Sequence, residues 1–312
     1  MPTSANEYRK YLDPRTLAKV SSLELRARLI VEGMMTGMHK SPFQGSSVEF
    51  AQHRAYVAGD DTRHIDWKVF GRSDRLMVKQ YQEETNLPLI LAVDASQSMS
   101  FSSLESIDAP GESWTKFDHA TAVAGTLAYM AVNQSDAVGL AIFDESLVRY
   151  YKPSNNPRQW RFICGEMQGI PRWNKTGVAQ SLEALTEKLG RRSVVMLLSD
   201  FFGDIDAIKR GLRTLAYKKH EIVAVQIMDP QELTFPFEDV TLFKGMEEMG
   251  ELLTEPRALR EAYMEQVRQH NEAIDKLCRS MNIDYRLFNS GDPLDVELSS
   301  FLANRLASIR AS

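Results

Sequence analysis

The hydrophobic pattern changes character near residue 87. Before that point polar residues dominate. SSLELRARLIVEGMMTG sets Leu23, Leu25, Ala27, Leu29, Ile30 and Met34 at mainly helical spacing, which predicts a helix. In DTRHIDWKVFGRSDRLMVKQYQEE, Ile65, Trp67 and Val69 alternate, GRSD offers a turn, and Leu76 and Val78 resume the alternation. That pattern predicts a β-hairpin with one apolar face. After residue 87, short apolar runs alternate with amphipathic ones. PLILAVDAS, DAVGLAIFDE, SVVMLLSDF, EIVAVQIMD and IDYRLFN read as strands, and SLVRYYK as an edge strand. Between and after them, KFDHATAVAGTLAYMAVNQ, NPRQWRFICGEMQ, TGVAQSLEALTEKLG, DAIKRGLRTLAYKKH and DVELSSFLANRLAS read as helices. A long amphipathic helix spans 257–281, with Leu259, Tyr263, Val267, Ile274, Leu277 and Met281 expected to face the sheet. Continuous apolar strands alternating with helices predict an α/β fold, a doubly wound, mostly parallel sheet covered on both faces. The expected organisation is a small β-containing extension over 1–87 and the α/β domain over 88–312.

The 312 residues are 43% hydrophobic and 25% charged, with a net charge of -5. This is globular composition, and it lacks the basic field that would release counterions from nucleic-acid phosphates. Cys164 and Cys278 lie far apart and in no CxxC pairing, so both are expected to be reduced thiols. The polar start MPTSANEYRKYLDPRT contains no signal-peptide core, and no run approaches the ~18 apolar residues of a membrane span. The expectation is a cytoplasmic protein with no membrane span.

In a doubly wound sheet, ligands sit beyond the carboxyl ends of the strands. Those ends carry Asp94, Ser96 and Ser98 after the first α/β strand, Asp144 after the next, Ser199, Asp200 and Asp204 after SVVMLL, and Asp229 after EIVAVQIM. Thr176 stands in the NKTGVAQ turn. Asp94, Ser96, Ser98, Thr176 and Asp200 form a candidate oxygen-only cluster. Hydroxyls with few carboxylates suit Mg²⁺ (or Mn²⁺) held at ~2.1 Å with several waters retained. Taken one at a time, the same residues can simply cap a helix or make a local turn, and for Thr176 the cap is the simpler reading. Neither GxSxG nor HExxH occurs, and GMMTGMHKS is no phosphate loop, because His39 stands before Lys40 and no buried strand leads into it.

The spacing Asp94-x-Ser96-x-Ser98, with Thr176 and Asp200 downstream, resembles the metal-ion-dependent adhesion site of von Willebrand factor A domains. The block from Gly37 to Glu84 carries His39, Ser41, Arg54, Tyr56, Gly59, Asp60, Asp61, Arg63, Ile65, Asp66, Trp67, Arg72, Lys79 and Tyr81. It resembles the signature of the bacterial family called domain of unknown function fifty-eight, in which it precedes a von Willebrand A-like domain. The resemblance implies a non-enzymatic protein-binding adaptor that works with a MoxR-type AAA+ ATPase in chaperone-like maturation of a client. A client Asp or Glu would complete the metal shell. Arg54, Arg63, Arg72 and Arg75 are candidate partner contacts, with Trp67 and Tyr56 as anchors. The bland alternative for this block is a salt-bridged turn that locks the hairpin in place. Two rival functions are a hydrolase using the same metal, with Asp144, Asp204 or Asp229 as base, and an adaptor whose site binds no metal.

Overall fold

The computed structural model describes residues 12–37, 50–57, 66–81, 87–105, 113–170, 177–245 and 250–311, apart from the side chains of 36–37, 50–54, 79–81, 244, 251–252 and 306–311. The elements in chain order are α1 (Pro14–Leu17), α2 (Leu23–Gly37), β1 (Phe50–Ala55), α3 (Trp67–Ser73), β2 (Met77–Tyr81), β3 (Leu89–Asp94), α4 (Lys116–Asn133), β4 (Val138–Phe143), β5 (Leu147–Ser154), α5 (Gln159–Gln168) and α6 (Val178–Lys188). They continue with β6 (Val194–Ser199), α7 (Ile205–Tyr217), β7 (Glu221–Met228), α8 (Pro230–Thr234), β8 (Thr241–Lys244), β9 (Glu251–Thr254), α9 (Pro256–Ser280), β10 (Asp284–Asn289) and α10 (Leu294–Ala311).

The central sheet has the order β10-β7-β6-β3-β4-β5. Its pairs are parallel except for β4–β5, where β5 closes the edge antiparallel. The order reverses at β3, so the chain winds outward from β3 in both directions. This is the doubly wound, mostly parallel sheet that the von Willebrand factor A-like expectation requires. Successive strand residues point to opposite faces. Leu91, Val93, Leu140, Ile142, Met196 and Leu198 therefore pack under α2, α4, α5 and α10. Ile90, Ala92, Ala141, Phe143, Val195 and Leu197 pack under α6, α7 and α9. Burial on both faces is the reason these strands read as unbroken apolar runs.

The chain divides near residue 87 and also near residue 39. Residues 1–39 cluster with 87–312, and 40–86 form the second unit. In α2 the side chains of Leu23, Ala27, Ile30 and Met34 are buried, one helical stripe, while Leu25 is exposed. The stripe joins the main core, and a Cβ on Gly125 of α4 would lie only 3.5 Å from the Ala27 Cβ. Arg26 of α2 adds an ion pair to Asp118 of α4 at 3.1 Å. Helix α2 is thus part of the α/β domain.

In the second unit the expected hairpin is corrected. The strand β2 pairs antiparallel with β1, and WKVFGRS is the helix α3, not a strand. Local capping outweighs the alternation of Ile65, Trp67 and Val69. The Asp66 carboxylate accepts from the Lys68 and Val69 amides at 2.9 and 3.2 Å, and Asp74 ends the helix in the left-handed conformation. Trp67, expected on the hairpin's apolar face, is 63% exposed.

The first half of α9 also departs from expectation. Ile274 and Leu277 are buried, but Leu259 is exposed. Tyr263 meets Phe235 with ring centroids 4.5 Å apart, in an aromatic group that includes Phe237 and Phe243. This end of the helix rests on the segment around β8, whose strands are short and have no strong alternation.

Candidate functional site

The register of two parallel pairs assembles the site. Strand β3 pairs with β6 as far as Val93 opposite Leu198. The next residues, Asp94 and Ser199, are therefore neighbours. The Ser199 hydroxyl donates to Asp94 Oδ2 at 2.5 Å, and the Ser96 amide donates to Asp94 Oδ1 at 2.9 Å. Ser96 then leads into a 3₁₀ turn over Gln97–Ser100, which brings the Ser96 and Ser98 hydroxyls to 3.1 Å from each other. The alternate spacing of the motif thus places both hydroxyls on one side. Asp94, Ser96, Ser98 and Asp200 are all buried. Burial, and after it the facing Asp200 charge, pushes the Asp94 carboxyl up to about 7, against hydrogen bonds from Ser199 and Ser96 that favour the charged form.

Asp200 follows β6 directly. The Phe202 amide donates to its Oδ1 at 3.1 Å, while Lys116 donates to its Oδ2 at 2.8 Å. Lys116 is the first residue of α4 and is fully buried. A cation at a helix N-terminus opposes the helix dipole. Here it is offset by two carboxylates, because the ammonium also donates to Glu232 Oε1 at 2.7 Å. Burial alone would lower the lysine pKa, but the Asp200 and Glu232 charges outweigh it and raise it, so the ammonium stays charged. Phe201 takes a left-handed backbone (φ 52°), which costs about 1 kcal/mol for a residue with a Cβ. The next ring, Phe202, lies 4.8 Å from the Lys116 ammonium.

Glu232 extends the network. Its Oε2 accepts from the Asp229 amide at 2.8 Å within the capping box that starts α8. Asp229 Oδ2 accepts from the Ser103 amide at 2.8 Å, which ties the chain just beyond the serine motif to α8. On the same edge opens a polar cleft of about 400 Å³ lined by Arg15, Ser102, Ser103, Glu105 and Gln231.

Of the five residues expected to hold a metal, the structure brings together Asp94, Ser96, Ser98 and Asp200. Thr176 lies outside the described residues. The oxygen-only donors and the two facing carboxylates fit a hard divalent cation. Among the described residues no group of three or more Asp, Glu, His or Cys side chains forms a metal cluster, so any such ion would depend on hydroxyls and water. The proposed bases have other duties. Asp204 and Asp229 cap α7 and α8, and the Asp144 carboxylate accepts from the Ser146 amide at 3.1 Å. Arg72 and Arg75 are exposed in the second unit. Arg63 and the side chain of Arg54 lie outside the described residues. Sequence reading missed Lys116 and Glu232. The available signal was a lone lysine set between the core residues Trp114 and Phe117.

Among the described residues no helix is long and apolar enough to cross a membrane. Among solved structures, the chain is similar to the conserved hypothetical protein BatB from Bacteroides thetaiotaomicron, with 15% identity, a TM-score of 0.40, and coverage of 70% of this chain and 98% of that one. It is also similar to the SpRpn10 VWA domain, with 14% identity, a TM-score of 0.37, and coverage of 67% and 92%. The strand order, not these likenesses, carries the fold assignment. The uncharacterized protein Rv1480 of Mycobacterium tuberculosis is 27% identical over 228 residues, 72% of this chain and 68% of the relative. The uncharacterized protein Mb1516 of Mycobacterium bovis matches to the same extent. Residues 52–273 match the family model described as Protein of unknown function DUF58, and the chain belongs to that family.

Proposed function

We propose that this protein is a non-enzymatic adaptor that binds a client through a divalent cation, Mg²⁺ or Mn²⁺. The observation that carries the reading is the convergence of Asp94, Ser96, Ser98 and Asp200 at the sheet's switch point, with the two serine hydroxyls 3.1 Å apart. Asp94, Ser96 and Ser98 would hold the ion, and Asp200 would orient its waters. When bound, the ion would supply an open coordination position for a carboxylate. With few protein charges on the ion, an Asp or Glu from the client completes the shell. The partner implied by the family resemblance is a MoxR-type AAA+ ATPase that drives maturation of the client. Exposed Arg72, Arg75 and Trp67 give the second unit the residue types that dominate protein interfaces.

The test is calorimetric titration of Mg²⁺ and Mn²⁺ into chelator-treated protein, wild type beside Asp94→Ala. Saturable binding that disappears in the variant is the expected result. Binding that survives Asp94→Ala would move the ion elsewhere, and silence in both proteins, with and without the ATPase, would remove the metal from the reading.

A further inference from the structure

A second feature of this site has no counterpart in the metal motif itself. A fully buried ammonium already sits on one of the carboxylates the ion would use. Lys116 Nζ lies 2.8 Å from Asp200 Oδ2 and 2.7 Å from Glu232 Oε1, with the Phe202 ring 4.8 Å away. The Glu232 side chain is 12% exposed and that of Asp200 is not exposed at all. Two buried or nearly buried carboxylates, Asp200 and Glu232, therefore share one lysine, and the third carboxyl, Asp94, has its pKa pushed up by burial and by the Asp200 charge beside it. Isolated buried charges are not tolerated, so this cation is what permits the acidic group to exist without a bound ion.

We propose that Lys116 is a positioning residue for the candidate metal site: it neutralises Asp200 in the cation-free protein and competes with a divalent cation for that carboxylate. The inference rests on the metal-binding reading above. When Asp200 turns to the waters of a bound ion, Lys116 keeps Glu232 as its remaining partner. Glu232 is also the capping residue for the Asp229 amide, and Asp229 holds the Ser103 amide. The lysine's choice of partner is thereby wired to the segment that follows the serine motif. The site's affinity for cations is then set by an internal competitor as well as by its ligands.

The first experiment is Mg²⁺ and Mn²⁺ calorimetry on Lys116→Met. Removing one positive charge from beside the site should tighten cation binding by roughly tenfold or more. Binding by the variant where wild type shows none supports the proposal equally. Unchanged or weaker binding in the variant, with wild type binding normally, overturns the role of Lys116 and leaves the metal reading intact. Silence in both proteins, with and without the ATPase, overturns both. If the variant does not fold, the wild type decides. The Lys116 ammonium resonance, identified by its Overhauser contact to the Phe202 ring, should shift and exchange faster with water as Mg²⁺ saturates the protein. A resonance unmoved at saturation overturns the proposal.

Discussion

Two sets of ion pairs in this molecule have nearly the same geometry and opposite surroundings. On the outer face of α9, Arg268 meets Glu265 at 2.7 Å and Glu272 at 2.6 Å, with the arginine side chain 58% exposed. At the sheet's carboxyl edge, Lys116 meets Asp200 and Glu232 at 2.8 and 2.7 Å, with no exposure of its own. Distance alone would rank the two clusters as equals. Water separates them. In α9 each charge is solvated whether or not its neighbour is present, so the pairing adds little. Around Lys116 no partner can be removed without stranding a charge in the interior.

Breaking the buried cluster has the largest expected effect. Lys116→Met should lower unfolding stability in chelator by about 3–5 kcal/mol, the range for a buried pair that loses one partner, measured by urea denaturation. Saturating Mg²⁺ should restore part of that loss. Ser199→Ala comes next. It removes a hydrogen bond to the buried Asp94 carboxylate and should cost about 1.5–3 kcal/mol in the same assay. A cost near zero would mean that the 2.5 Å contact does not hold the carboxylate in place. Asp66→Ala sharpens the middle of the scale. Loss of the α3 cap should cost about 1 kcal/mol, seen as faster amide exchange at Lys68 and Val69. If WKVFGRS were a strand, those amides would not respond to the substitution. The smallest effect is expected for Arg268→Ala, which should leave the unfolding midpoint within experimental error. A clear drop there would show that the surface lattice on α9 is not merely solvated.

The buried thiols test the two core faces independently. Burial pushes both Cys164 and Cys278 up to about 12, with a smaller contribution from Glu24 for the first and Asp275 for the second. Neither should react with a thiol reagent at pH 8 in the native protein, and both should react in urea. Rapid native labelling of Cys164 would show that the face under α2 and α5 opens; labelling of Cys278 would show the same of the face under α9.

Much of the α/β domain was legible in the sequence, because its strands are buried on both faces and its helices on one. Leu89–Asp94, Val138–Phe143 and Val194–Ser199 read as apolar runs for that reason. The second unit was misread where a short polar cap, Asp66, competed with an alternating pattern. The place of α2 was missed because a helical stripe says that a face is buried and does not say against what.

The sequence by itself determined the alternation of strands and helices, the spacing of Asp94, Ser96 and Ser98, and the side to which those two hydroxyls turn. These are local matters, set by periodicity and by a few successive dihedral angles. Only the tertiary structure decided that Ser199 would sit against Asp94, since that depends on the register of β3 and β6. It alone brought Lys116 to Asp200 and Glu232, which lie 84 and 116 residues along the chain. A charge has no periodicity to betray its partner, and the low-dielectric interior that makes this pairing matter exists only once the sheet and its helices have closed around it.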